Sequence, residues 1–226
     1  MNRPLWRDAG LVLAQDLRPE RRSRVIVSRV VPFAVLVLVL FAFALDPDRR
    51  VLTQATPGLF WLAVLFSTLL ALQRSFGVEA ADGVGDALRL SGLDPAGIFL
   101  GKVAGIAVHL LALQVVLGVG VTVFYSSTPA GPLLLVATCL AATAGLSAVG
   151  SLYGVLSAGM RVRDTLLPLL MLPVVAPVLI AATQAFAAAY DRTSGEGWRW
   201  FGLLAVFALL YLAIGIFAFE PLLEES

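Results

Sequence analysis

The chain has 226 residues, of which 59% are hydrophobic and 14% charged, with a mean hydropathy of +0.92. That is more apolar surface than a soluble core of this size hides, so the solvent of the folded chain is lipid and a water-soluble enzyme is excluded. A net charge of +1 gives no reason to expect a nucleic-acid partner.

Residues 1–24 come first. Their arginines are interrupted by Asp8, Asp16 and Glu20, and the apolar run that follows lies too far in and is too long for a secretory leader, so none is expected. Leu5, Trp6, Leu11, Val12 and Leu13 alternate with Arg3, Arg7, Asp8 and Gln15 in a rough helical period up to Pro19. This predicts an amphipathic segment lying flat at the inner membrane interface.

A membrane span needs roughly 20 mainly apolar residues, because the hydrocarbon layer is about 30 Å thick and a helix rises about 1.5 Å per residue. Six runs qualify: Val25–Leu45, Leu52–Leu72, Ile98–Phe124, Pro132–Leu156, Thr165–Tyr190 and Trp198–Phe219. Lipid cannot satisfy bare backbone N–H and C=O groups, and the alternation of a transmembrane β-strand is absent, so the runs are read as helices. The expected fold is an all-α membrane protein with six transmembrane helices over residues 25–219, an interfacial segment over 1–24 and a cytoplasmic tail over 220–226.

Lys and Arg are retained on the cytoplasmic side. With the N-terminus inside, twelve of the 16 basic residues fall on cytoplasmic segments, and only Arg49, Arg50, Arg192 and Arg199 fall outside. Both termini are therefore expected in the cytoplasm.

Between the second and third runs lies the longest polar connection, residues 73–97, on the cytoplasmic face. Glu79, Asp82, Asp86 and Arg89 supply charge, while Val84, Ala87, Leu88 and Leu90 give a small apolar side. Gly83 and Gly92 punctuate it, and Asp94-Pro95 opens the next helix. A short amphipathic element of this kind suits docking to a soluble partner; the coupling segment is placed at 76–94.

In the third run His109 is the sole histidine, and with only Gln114 and Met160 as weak companions a hydrogen bond across helices is expected rather than a ligand role. Gly97-Ile-Phe-Leu-Gly101-Lys102-Val103 is one residue short between its glycines and lacks the hydroxyl of a phosphate loop, so no nucleotide site is present. No catalytic set is visible either. Cys139, the one cysteine, is read as packing, which rules out an internal disulfide or a thiolate metal cluster.

Gly101-x-x-x-Gly105 and Gly150-x-x-x-Gly154, with Ala137, Ala141 and Gly145 at four-residue spacing, allow close approach of helices and offer a face for a second copy. The fifth run carries Pro168, Pro173 and Pro177, each removing a backbone donor, which predicts a kinked or broken helix. Gly159–Asp164 is a second basic cytoplasmic turn, suited to anionic lipid headgroups or to a soluble ATPase partner, and Trp198 and Trp200 are placed as anchors at the opposite headgroup level. The remaining charges sit at span ends, which disfavours ion-coupled transport and points to energy supplied by a partner.

Several words in order carry a resemblance to a known family: Pro57-Gly58-x-x-Trp61; Ser67-x-Leu69-Leu70-Ala71-Leu72-x-Arg74-x-Phe76; Asp82-Gly83 with Leu88 and Leu90; Lys102; and Leu172-Pro173-x-x-x-Pro177-x-Leu179-Ile180-x-Ala182-Thr183. Over most of its length the chain resembles the CcmB family, haem exporter protein B, the permease subunit of the cytochrome c maturation ABC transporter, and more widely the ABC-2 type permeases. Gln73 and Gly85 depart from the pattern. A glycine costs about 1 kcal/mol relative to alanine inside a helix, so the element at 82–90 is expected to be short or loose.

The resemblance implies a multi-pass protein of the bacterial inner membrane, not itself an enzyme, that acts as two copies. An ABC ATPase subunit (CcmA-like) supplies ATP and Mg²⁺ chemistry and engages the short coupling helix between spans two and three, at Glu79, Asp82, Gly83, Asp86, Leu88, Arg89 and Leu90. A haem-handling membrane protein (CcmC-like), a small membrane subunit (CcmD-like) and, indirectly, a periplasmic haem chaperone are the other implied partners. The implied work is haem export or ATP-driven release of the haem-loaded chaperone. The alternatives are a scaffold that passes no substrate and, less favoured, an unpowered channel or carrier.

Overall fold

The computed structural model describes residues 6–14, 32, 36, 39–40, 49–82, 93–125, 129–156, 163–191 and 194–225. Within them lie six helices: α1 at residues 6–14, α2 (Arg49–Asp82), α3 (Pro95–Tyr125), α4 (Pro132–Leu156), α5 (Arg163–Tyr190) and α6 (Ser194–Glu225). Five of them, α2 to α6, are long and apolar enough to cross a membrane, over Gln54–Gln73, Pro95–Val123, Pro132–Leu156, Pro168–Tyr190 and Gly195–Phe219. The run expected at Val25–Leu45 falls almost wholly outside the described residues; Pro32, Leu36, Val39 and Leu40 within it are helical.

Short connections make α2 to α6 an up-and-down bundle, so that the end of α2, the start of α3, the end of α4 and the end of α6 share one end. Packing confirms the alternation. Phe99, near the start of α3, lies 5.3 Å from Phe219, near the end of α6, and at the opposite end Gly131 N–H donates to the Ala189 carbonyl at 2.8 Å.

α4 is the hub and packs against α2, α3, α5 and α6. From Ala142 to Val155 nearly every residue is buried, which its run of Ala, Gly, Ser and Thr permits because small side chains let neighbouring backbones approach. The outer faces of α3 and α6 are apolar and exposed, with Val115, Val119, Val206, Leu209 and Phe217 (83% exposed) turned outward. Lipid accounts for such a surface, since leucine-like side chains lose nothing there.

Three features of these helices go beyond the spans read along the chain. α2 continues past its apolar span, which ends at Gln73, as far as Asp82; residues 73–82 hold no proline, and their one glycine, Gly77, costs about 1 kcal/mol, which is too little to end the helix. α6 runs through Pro221 to Glu225, so residues 220–225 of the expected tail are helical. α5 passes through Pro168, Pro173 and Pro177 as one helix, which excludes a break there. Pro173 and Pro177 lie on its exposed face, leaving the buried face from Met171 to Ala189 free of them.

Candidate coupling site at one end of the bundle

The α2–α3 end of the bundle is built by two helix termini and by α1. The apolar part of α2 ends at Gln73, and residues 74–82 extend the helix by nine residues, about 13 Å at 1.5 Å per residue. Glu79 and Asp82 are on this extension. Gly83, Asp86, Leu88, Arg89 and Leu90, which complete the expected coupling element, lie outside the described residues.

α3 starts at a double cap. Asp94 Oδ1 accepts the N–H of Ala96 at 2.8 Å, the usual N-cap bond, and Pro95 occupies the first turn, where its missing donor costs nothing. The N–H of Asp94 itself donates to Asp8 Oδ2 at 3.3 Å. Asp8 belongs to α1 and is 1% exposed; its other oxygen, Oδ1, is buried without a partner.

α1 is seated at its far end by Gly101. A Cβ at that position would stand 2.6 Å from Val12 Cβ and 2.8 Å from the Ala9 carbonyl oxygen. Val12 is buried, as is Lys102, the residue after Gly101. α1 is therefore docked along the first two turns of α3, with Trp6 and Leu11 exposed on its other side. This docking was not anticipated, although Asp8 and Val12 are four residues apart and so share a helix face; an acid on that face was the available signal.

The small-residue pairs are divided between different neighbours. Gly101 receives α1 rather than another span, and Gly150 in α4 receives Leu72 of α2, whose Cδ1 would lie 2.6 Å from an added Cβ. The Gly105 carbonyl accepts the Nδ1–H of His109 at an N···O distance of 2.6 Å, so among the described residues the imidazole bonds within its own helix and not across helices. Gly154 lies on the buried side of α4.

Deep in the bundle Gln114 Nε2 of α3 donates to Thr143 Oγ1 of α4 at 2.8 Å. Gln114 Oε1, the hydroxyls of Thr138, Ser147 and Ser151, and Trp61 Nε1 are buried without hydrogen-bond partners among the described residues. Trp61 belongs to an aromatic group with Phe60, Phe186 and Tyr190 that joins α2 to the end of α5. Cys139 is half-buried, and no group of three His, Cys, Asp or Glu side chains suited to a metal occurs among the described residues. At the other end Trp198 packs edge-on to Phe201 at 5.3 Å and is exposed, as is Trp200.

The family model of the CcmB protein matches residues 8–226. The chain belongs to the CcmB family. The match takes in Asp8, the extension of α2 and every described helix after it. Proteins named heme exporter protein B align over most of their lengths. That of Paracoccus denitrificans is 32% identical over 178 residues, 77% of this chain and 80% of the relative. That of Haemophilus influenzae is 30% identical over 186 residues, 79% of this chain and 80% of the relative. That of Pseudomonas aeruginosa is 30% identical over 218 residues, 92% of this chain and 94% of the relative. With five membrane-length helices, this CcmB family member is a multi-pass membrane protein.

Proposed function

We propose that this chain is the permease subunit of an ABC transporter for cytochrome c maturation, set in the bacterial inner membrane with both termini cytoplasmic. Haem is the cargo handled by the assembly, and two copies of the chain pair with an ATPase that supplies nucleotide chemistry. The observation that carries this reading is the polar end of the bundle: α2 projects nine residues past its apolar part, and α3 starts from a terminus capped by Asp94 and by the buried Asp8. A helix leaving the lipid gives a soluble motor something to hold, and a fixed start to α3 transmits a push to the spans. The relatives named heme exporter protein B supply the cargo.

In this scheme closure of two ATPase subunits presses on the segment from Glu79 to Leu90, and α2 and α3 shift as semi-rigid units against α4. The small residues of α4 permit sliding without large voids. The haem-handling membrane protein, the small membrane subunit and the periplasmic chaperone belong to the same assembly, and α1 contacts the membrane surface through Trp6 and Leu11.

Reversing two charges tests the docking. Asp82→Lys together with Asp86→Lys is expected to abolish co-purification of the ATPase while the chain still reaches the membrane; full retention of the ATPase refutes docking there. Haem counted in sealed vesicles holding the assembly, with and without ATP, then separates transport from scaffolding. Accumulation identifies a permease, and ATP-dependent chaperone release without accumulation identifies a scaffold.

A further inference from the structure

We propose that Asp8 is a positioning residue: its carboxylate, carried on α1, holds the backbone amide of Asp94, the N-cap of α3, and clamps the N-terminal helix to the α3 side of the α2–α3 connection. The first four N–H groups of a helix have no partner within it. Here Asp94 N–H goes to Asp8, Pro95 has none, and Ala96 N–H goes to Asp94 Oδ1.

A carboxylate gains from the partial positive charge at a helix start, and burial removes the water that would otherwise compete for it. Asp8 meets both conditions, being 1% exposed and bonded to the α3 terminus. Its Oδ1 has no partner, so burial of this group must be held by contacts elsewhere on α1. Gly101 supplies them, since only a residue without a side chain leaves room for Val12 and the Ala9 carbonyl. The two contacts run in step, residue 8 with residue 94 and residues 9–12 with residue 101, so α1 is gripped at both ends over about two turns of α3.

The consequence lies in the connection itself. Residues 83–92 join the end of α2 at Asp82 to a start of α3 that cannot fray without releasing α1. If the connection is where the ATPase acts, which rests on the reading above, a push on it is delivered to α3 and α1 together. Without Asp8 part of that push would unwind the first turn of α3.

Hydrogen exchange followed by mass spectrometry on the full chain in lipid nanodiscs tests the clamp. Asp8→Ala and Gly101→Ala are each expected to speed exchange about tenfold at amides 6–14 and 96–98, the loss expected for a charge-assisted hydrogen bond and its seat. Asp8→Asn is expected to fall between the wild type and Asp8→Ala, because an amide oxygen still accepts the Asp94 N–H but without the charge of the carboxylate. Unchanged exchange in Asp8→Ala and Gly101→Ala overturns the clamp, as does Asp8→Asn exchanging as fast as Asp8→Ala. Should Asp8→Ala fail to accumulate, Gly101→Ala and Asp8→Asn decide the matter by the same criteria.

In the assembled complex Asp8→Ala is expected to lower holocytochrome c formed per ATP hydrolysed several-fold, with Asp8→Asn restoring part of it. Faster exchange with an unchanged ratio leaves the clamp standing and removes its link to ATP coupling.

Discussion

Gln114 of α3 donates to Thr143 of α4 at 2.8 Å inside the bundle, while its own carbonyl oxygen has no partner. Thr143→Val would strand the amide nitrogen as well. Interhelical bonds of this kind measure about 0.6 kcal/mol on average and reach about 1.7 kcal/mol. Thr143→Val is expected to destabilise by about that amount in an SDS unfolding titration, and Gln114→Leu with Thr143→Val by less than the sum of the single changes. A purely additive result would show that the bond contributes nothing.

Gly150→Ala puts a methyl group into the side chain of Leu72, which is fully buried. Overpacking a tight core costs about 1–3 kcal/mol, and this substitution is expected to fall in that range. Gly118 and Gly202 have nothing within 4 Å of an added Cβ. Alanine at either position is expected to be neutral or to stabilise by up to about 1 kcal/mol, because glycine is a poor helix former. The contrast is read by thermal unfolding of the purified variants.

Gly215 of α6 faces the ring of Phe99 of α3, which is fully buried and packs against Phe219. Gly215→Ala is therefore expected to lower stability more than Gly202→Ala on the same helix. Phe99→Leu, which shortens the ring side chain, should recover part of the loss in the double variant. No recovery would place the clash elsewhere.

Pro173→Ala returns an N–H to the carbonyl of Leu169 on the exposed face of α5. Since α5 is already one helix through all three prolines, the change is expected to raise stability. Output of cytochrome c assembly at equal protein level should then stay within about twofold. A large drop in output with stability raised would make Pro173 a moving hinge and refute a static role.

The places of the long apolar helices among the described residues were legible along the chain. Pro132–Leu156 coincides with the observed α4, and the runs at α3, α5 and α6 reach the observed spans within a few residues. Hydropathy reports transfer from water to hydrocarbon, which depends on composition over about 20 residues and not on partners. The extension of α2 to Asp82 was missed because its polar residues look like a loop in such an account, although helix formation needs only intact backbone donors and acceptors.

The candidate site was legible only in part. Glu79 and Asp82 were singled out by charge and spacing, whereas the role of Asp8 depends on Asp94, 86 residues away. Gly101 and Gly150 were picked out as places for close approach, but their neighbours, Val12 and Leu72, come from different elements for each.

By itself the sequence determined a lipid-embedded set of helices with a polar connection between the second and third runs, because partition between water and hydrocarbon follows from local composition. The tertiary structure alone decided which faces meet: α1 on α3, Leu72 on Gly150, Gln114 on Thr143. Lipid tails are as apolar as the side chains they surround, so no hydrophobic gradient selects a partner helix. Shape fit and buried polar pairs make that choice, and both exist only after the helices have packed.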